Sequence, residues 1–261
     1  MEHQLYRAIV EVVNECGKRR GQARFIHSDM MIVLVWYWAA IHDRAVSWAT
    51  QRSNWPLWRR EALPSNSTMS RSLGTKSVQT LLQNIERRVT APKQPGVFWK
   101  IDGKPLMISG CSKDRQAGYG RAAGGKAKGY KLHAVVGANG TLAAWRIAPM
   151  NKDERVMAER LLKTADIQGY VAADSNYDSN KLHAVCDQRG NLQLVTRRRY
   201  GPGNGTGHRR QTPGRLRSMA ITESPFNDFA IGLLEGREEI EREFGNLTNW
   251  GAGLQCLPAW I

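Results

Sequence analysis

Paired cysteines are missing from this chain. Its 261 residues include only Cys16, Cys111, Cys186 and Cys256, widely scattered and without a Cys-x-x-Cys pair. That excludes a zinc ribbon and offers no disulfide framework, so ordinary reduced thiols are expected. The six histidines show no paired metal spacing. Any metal would therefore be held by oxygen and would be hard, Mg²⁺ or Mn²⁺. Long apolar runs are scarce too: the longest, Met30 to Ile41, has 12 residues, short of the roughly 20 that cross a bilayer. The start, Met1-Glu2-His3-Gln4-Leu5, has neither a basic n-region nor an apolar h-region, so a cytoplasmic location is expected. Acids are outnumbered, 23 Asp and Glu against 38 Lys and Arg, for a net charge of +15. Such an excess calls for a polyanionic partner, most commonly nucleic acid. With no dominant basic amphipathic helix, an anionic membrane is the poorer fit.

What is present divides the chain in two. Residues 1–91 read as a helical N-terminal region. Leu5, Ile9, Val12 and Val13 recur at helix spacing, and Asp29 to Ile41 is a helix apolar enough to be buried. Trp36, Trp38, Trp48, Trp55 and Trp58 crowd this half and are read as core packing. Leu63 to Leu73 resembles a capped short helix, and the helix through Leu81, Leu82 and Ile85 follows it, a candidate DNA-binding helix-turn-helix. Pro92 to Gly96 is the linker. From 97 to 261 short apolar runs replace the helical period. Val97 to Asp102, Leu106 to Ser109, Lys131 to Val136, Leu142 to Ala148, Tyr170 to Asp174 and Leu192 to Val195 read as strands. Helices are expected at Lys152 to Ala165, Asn180 to Asp187 and Asn227 to Leu247. That order describes an α/β mixed sheet with helices on its faces.

Three acids stand at ordered positions within it. Asp102 closes the first strand, Asp174 closes a later one, and Glu241 lies in the last helix. Each has an ordinary explanation. Asp102-Gly103 can be a hairpin turn, Asp174 a cap for the helix near Ser179, and Glu241 a solvated partner of Arg237. Converging, they could hold two divalent ions about 4 Å apart for in-line phosphoryl transfer. Two basic segments lie between them. Ser112 to Tyr130 reads as a mobile glycine-rich loop that closes on phosphates. Thr196 to Thr222 holds Arg197, Arg198, Arg199, Arg209, Arg210, Arg215 and Arg217 without one acid, suited to a DNA clamp.

Several stretches in this order are similar to the insertion-sequence transposases. They are Ile101-Asp102-Gly103, Gly129-Tyr130-Lys131-Leu132-His133, Pro149-Met150-Asn151-Lys152-Asp153-Glu154, Ala173-Asp174-Ser175-Asn176-Tyr177, and Arg237 with Glu241 ahead of Phe244-Gly245-Asn246-Leu247. The resemblance covers roughly residues 60 to 261. It implies an RNase H-like catalytic domain and a triad of Asp102, Asp174 and Glu241 holding two Mg²⁺ or Mn²⁺ ions. The implied activity is nicking at element ends and strand transfer into target DNA. Lys131, Arg237 and the arginines at 197, 198, 199, 209 and 210 would bind DNA, with a homodimer in the DNA complex and a nucleoid-associated location. Arg237 and Glu241 match the family's Tyr-x-x-Arg-x-x-x-Glu-x-x-x-x-x-x-Lys signature, but Leu234 and Thr248 stand at its Tyr and Lys positions. The ending at Ile261, where family members continue with basic residues, reads as a truncation. His133 is expected to be a packed histidine, and Asp153 and Asp178 helix caps. The rival readings are a catalytically inactive, transposase-derived DNA-binding protein and a nuclease that cuts without joining.

Overall fold

A computed structural model describes residues 2–17, 27–56, 62–90, 96–108, 110, 112–137, 140–199, 210–225 and 228–249. The chain divides into two compact units, Met1–Ala91 with Leu247–Ile261, and Pro92–Asn246.

The first unit is helical where it is described. Its helices are α1 (Glu2–Cys16), α2 (Asp29–Ile41), α3 (Val46–Ala49), α4 (Asn66–Leu73) and α5 (Lys76–Thr90). Ser28 and Ser65 cap α2 and α4 by accepting the amides of Met31 and Thr68. The apolar run of α2 lies at the centre of a core with Tyr6, Val13, Met69, Val78, Leu81 and Ile85. Trp38 and Trp55 stack inside it with centroids 4.8 Å apart, and Trp55 donates to the Ala49 carbonyl at 2.7 Å. Both rings are core, as their clustering suggested; Trp58 lies outside the described residues. Only Gly74 and Thr75 separate α4 from α5.

The second unit is built on a mixed sheet. Its strands are β1 (Phe98–Met107), β2 (Gly118–Ala122), β3 (Gly125–Gly137), β4 (Leu142–Pro149), β5 (Gly169–Ala173) and β6 (Leu192–Thr196). β3 pairs antiparallel with β1, β2 and β4, whereas β5 runs parallel to β1 and to β6. Along β4-β3-β1-β5-β6 this is the RNase H-like arrangement. The helices are α6 (Glu154–Thr164), α7 (Asn180–Arg189), α8 (Pro213–Glu223) and α9 (Asp228–Asn249). One sheet face packs Trp99, Ile101, Val135, Val171 and Leu194 against Leu161 and Leu162 of α6 and Leu182 of α7. The other packs Ala134 and Val136 against Ile240 and Phe244 of α9.

Three expectations are corrected here. Asp102-Gly103 is no turn, because β1 runs straight through it and pairs with β3 from Trp99 to Met107. The glycine-rich segment expected as a mobile loop is largely the β2–β3 hairpin, turned at Gly124 and Gly125, whose φ values of 84° and 130° favour glycine. The arginine-rich segment, expected as a loop, carries α8 in its described part. Thr212 caps that helix and Pro213 opens it. Three of its arginines are bound within the protein: Arg198 to Glu223, Arg215 to Asp178 and Arg217 to Asp187.

Candidate active site

The two strand acids meet through strand register. β1 and β5 pair in parallel with Lys100 opposite Ala172, so two residues further on Asp102 comes level with Asp174, beyond the carboxyl ends of the pairing. Crevices at such strand ends are where open α/β sheets take ligands. Alternation puts Lys100 and Asp102 on the same face of β1, the one covered by α9. Lys100 is buried and its ammonium reaches Glu239 Oε2 at 2.5 Å. Two residues earlier in α9, Arg237 Nη1 stands 3.8 Å from Asp102 Oδ2.

The electrostatics follow from that placement. Burial, and then the charge of Asp174, push the Asp102 carboxyl up to about 6, although the Gly103 amide and Arg237 pull the other way. Glu154 adds to the upward push. The Gly103 amide donates to Asp102 Oδ1 at 2.7 Å. Asp174 caps a single 3-10 turn, Ser175–Tyr177, accepting the Asn176 amide at 2.9 Å. The helix near Ser179 is capped instead by Ser179 itself, whose hydroxyl accepts the Leu182 amide.

Glu241 lies one helical turn past Arg237 and is exposed. α9 seats Ala230, Leu233, Ile240 and Phe244, and helical geometry sets Glu241 on the flank of that stripe, about 60° from its centre. The structure thus brings Asp102, Asp174 and Arg237 together and leaves Glu241 at the surface. Among the described residues no group of three or more His, Cys, Asp or Glu could share a metal ion. The two aspartates do suit a hard cation: they are adjacent carboxylates whose mutual repulsion a divalent ion would relieve. Mg²⁺ commonly takes one or two protein carboxylates and fills its other positions with water and substrate phosphate.

The basic residues fall into two groups. Arg197, Arg199 and Arg210 are exposed. Lys131, by contrast, forms an ion pair with Glu154 at the start of α6, and Arg198 is paired with Glu223. Arg209 lies outside the described residues. His133 is buried, and neither ring nitrogen has a hydrogen-bond partner among the described residues. Burial and Lys131 push it down to about 4, so it is a neutral packed side chain at pH 7. Asp153 caps α6 as expected. Asp178 does not cap a helix; it accepts two 2.7 Å hydrogen bonds from the buried guanidinium of Arg215.

Sequence reasoning passed over Glu154 and Tyr177, which lie in quoted motifs but carried no periodic or charge signal. Tyr177 is buried in the core, and its hydroxyl has no hydrogen-bond partner among the described residues. The charges acting on it are those of Glu154, Asp102, Asp174 and Arg237.

Residues 112–208 match the family model described as Transposase DDE domain. The matched stretch contains Asp174 and Lys131, begins after Asp102 and ends before Glu241. No curated protein and no solved structure matches the chain. No described helix is long and apolar enough to cross a membrane.

Proposed function

From the match of residues 112–208 to the family model described as Transposase DDE domain, we propose that this protein nicks DNA at element ends and transfers the strand into target DNA. The observation that carries the reading is the meeting of Asp102, within β1, and Asp174, just past the end of the parallel strand β5, with Arg237 reaching in from α9. These aspartates would hold Mg²⁺ or Mn²⁺, and Glu241 would complete a two-ion site once cation and phosphate offset a third negative charge. A bound divalent ion supplies Lewis-acid polarisation of the phosphoryl group and a more acidic water or 3′-hydroxyl. The protein's own contribution is positional. The Gly103 amide fixes one oxygen of Asp102, and the guanidinium of Arg237 offers N–H donors to a non-bridging phosphate oxygen beside it.

Glu241→Gln is expected to leave the melting temperature within about 1 °C of wild type, since exposed positions contribute little to stability. Nicking of a labelled element-end duplex in Mg²⁺ should nonetheless fall by roughly 10²-fold or more, the scale of losing one preorganised electrostatic group. Full cutting by this variant removes Glu241 from the reading. Salt-dependent binding without cutting by the wild-type chain would instead support a DNA-binding protein that has lost catalysis.

The exposed arginines are the proposed DNA contacts. Arg197→Ala and Arg210→Ala should each weaken binding to any duplex and reduce the slope of log K against log salt by about one. An unchanged slope would mean that these side chains touch no phosphate.

A further inference from the structure

The β2–β3 hairpin carries a basic surface that the proposed chemistry leaves unused. Pairing of β3 with β1 and β4 stops at Gly129 and Tyr130, so toward the turn β3 continues with β2 alone as a two-stranded ribbon. Register divides its side chains. Tyr119 lies opposite Lys128 and Arg121 opposite Lys126, so all four stand on one face. The other face carries only glycine and alanine. It lies against the turn after β4, where a Cβ at Gly118 or Gly120 would collide with Asn151 or Met150. Every long side chain of the ribbon is therefore turned away from that packing. Lys128 is engaged within the protein, donating to the Ser112 carbonyl at 2.9 Å. Tyr119, Arg121 and Lys126 are exposed, and none of the ion pairs among the described residues involves Arg121 or Lys126.

We propose that this ribbon is an arm that lies along the phosphate backbone of duplex DNA, gripping it through Arg121 and Lys126. Charge decides the partner. No Asp or Glu occurs from Arg115 to Lys152, so nothing in the ribbon's own sequence neutralises the two cations. Charged side chains also guard an edge strand against unwanted pairing, but mixed signs would serve that purpose equally well. Tyr119 supports the grip: Lys126 Nζ stands 5.8 Å from its ring centroid, within cation–π range, which holds the ammonium at the surface. Alternation along β3 sets Lys126 on the same sheet face as Ala134, the residue paired with Asp102. The contour between them is about eight residues, or roughly 27 Å at about 3.4 Å each. A duplex covers that length in about eight base pairs. One stretch of DNA can thus lie on the ribbon and at Asp102 together.

This inference rests on the duplex substrate proposed above, and the test separates the two. Binding of the full chain to a mixed-sequence duplex of roughly 30 base pairs is followed by fluorescence anisotropy across a salt series, without divalent metal. Arg121→Ala combined with Lys126→Ala is expected to reduce the slope of log K against log salt by about two. Its melting temperature should stay within about 1 °C of wild type, since both positions are exposed. Arg121→Lys combined with Lys126→Arg keeps both charges and is expected to keep the wild-type slope, which controls for the integrity of the ribbon. p-Benzoylphenylalanine placed at position 119 should crosslink to the duplex on irradiation. An unchanged slope in the double alanine variant, or no crosslink from position 119, overturns the arm while wild-type binding leaves the DNA substrate standing. Tighter wild-type binding to a single strand of the same sequence, with the slope reduced only there, overturns the duplex as the arm's partner. No duplex binding by the wild-type chain overturns both readings. Binding with the expected loss of slope but no nicking in Mg²⁺ supports the arm and removes the enzymatic reading.

Discussion

Asp102→Asn is expected to stabilise the protein at pH 7 while removing metal-dependent nicking. The carboxyl is pushed up to about 6, first by burial and then by Asp174, so its charged form is disfavoured in the fold. A folded value above the unfolded one means that the folded chain binds the extra proton between about pH 4 and pH 6. The cost of the charge is therefore absent below about pH 4, grows through that window and is complete above about pH 6. For a side chain 21% exposed, that cost is on the order of 2 kcal/mol. Asparagine keeps the oxygen that accepts the Gly103 amide and removes the charge. Its melting temperature should exceed wild type by several degrees at pH 7, with the difference closing toward pH 4. Nicking should fall by roughly 10³-fold or more, because the charge that would bind the cation is gone. In wild type the same titration predicts that Mg²⁺ affinity falls about tenfold per pH unit below about pH 6, as protons compete for Asp102. Cutting by Asp102→Asn at the wild-type rate would remove this acid from the site.

The second large effect is structural. Asp178→Ala should destabilise the protein by roughly 3–5 kcal/mol, because it strands a buried guanidinium without its counter-charge. The Asp178 and Arg215 side chains are 3% and 4% exposed. Asp178 also accepts the Arg199 amide at 3.1 Å and lies 3.5 Å from His183 Nε2. These partners hold its carboxyl well below the usual range despite its burial. The sign is therefore opposite to that of Asp102: the stabilisation is present above the unfolded value near 4 and is lost as pH falls below it. Urea denaturation of Asp178→Ala against Asp178→Leu combined with Arg215→Met provides the check. The double variant should recover most of the loss, since apolar replacements of a buried pair are often neutral or better. A single variant as stable as wild type would show that α8 does not depend on this pair.

The contrast between Arg197 and Arg215 shows where sequence stops. Both belong to one acid-free, arginine-rich segment, and composition alone makes them equivalent. The acids that neutralise part of that segment come from elsewhere: Asp178 and Asp187 lie upstream, and Glu223 just beyond it. Only folding assigns Arg215 to the interior and Arg197 to solvent. Local pattern was similarly blind at Asp102-Gly103, where turn chemistry suggested a hairpin. Pairing along the whole of β1 overrode that preference, because strand hydrogen bonds are decided by a partner 30 residues away.

What the sequence by itself determined were features encoded by neighbours in the chain. The helix of Asp29 to Ile41, the strand and helix order from Lys131 to Val195 and the cap at Asp153 follow from periodicity and capping. What only the tertiary structure decided were the relations between distant segments. It set Asp102 level with Asp174, brought Arg237 to them and left Glu241 facing water. Those relations depend on how β1, β5, α6 and α9 pack, and packing is a property of surfaces that no stretch of residues carries alone.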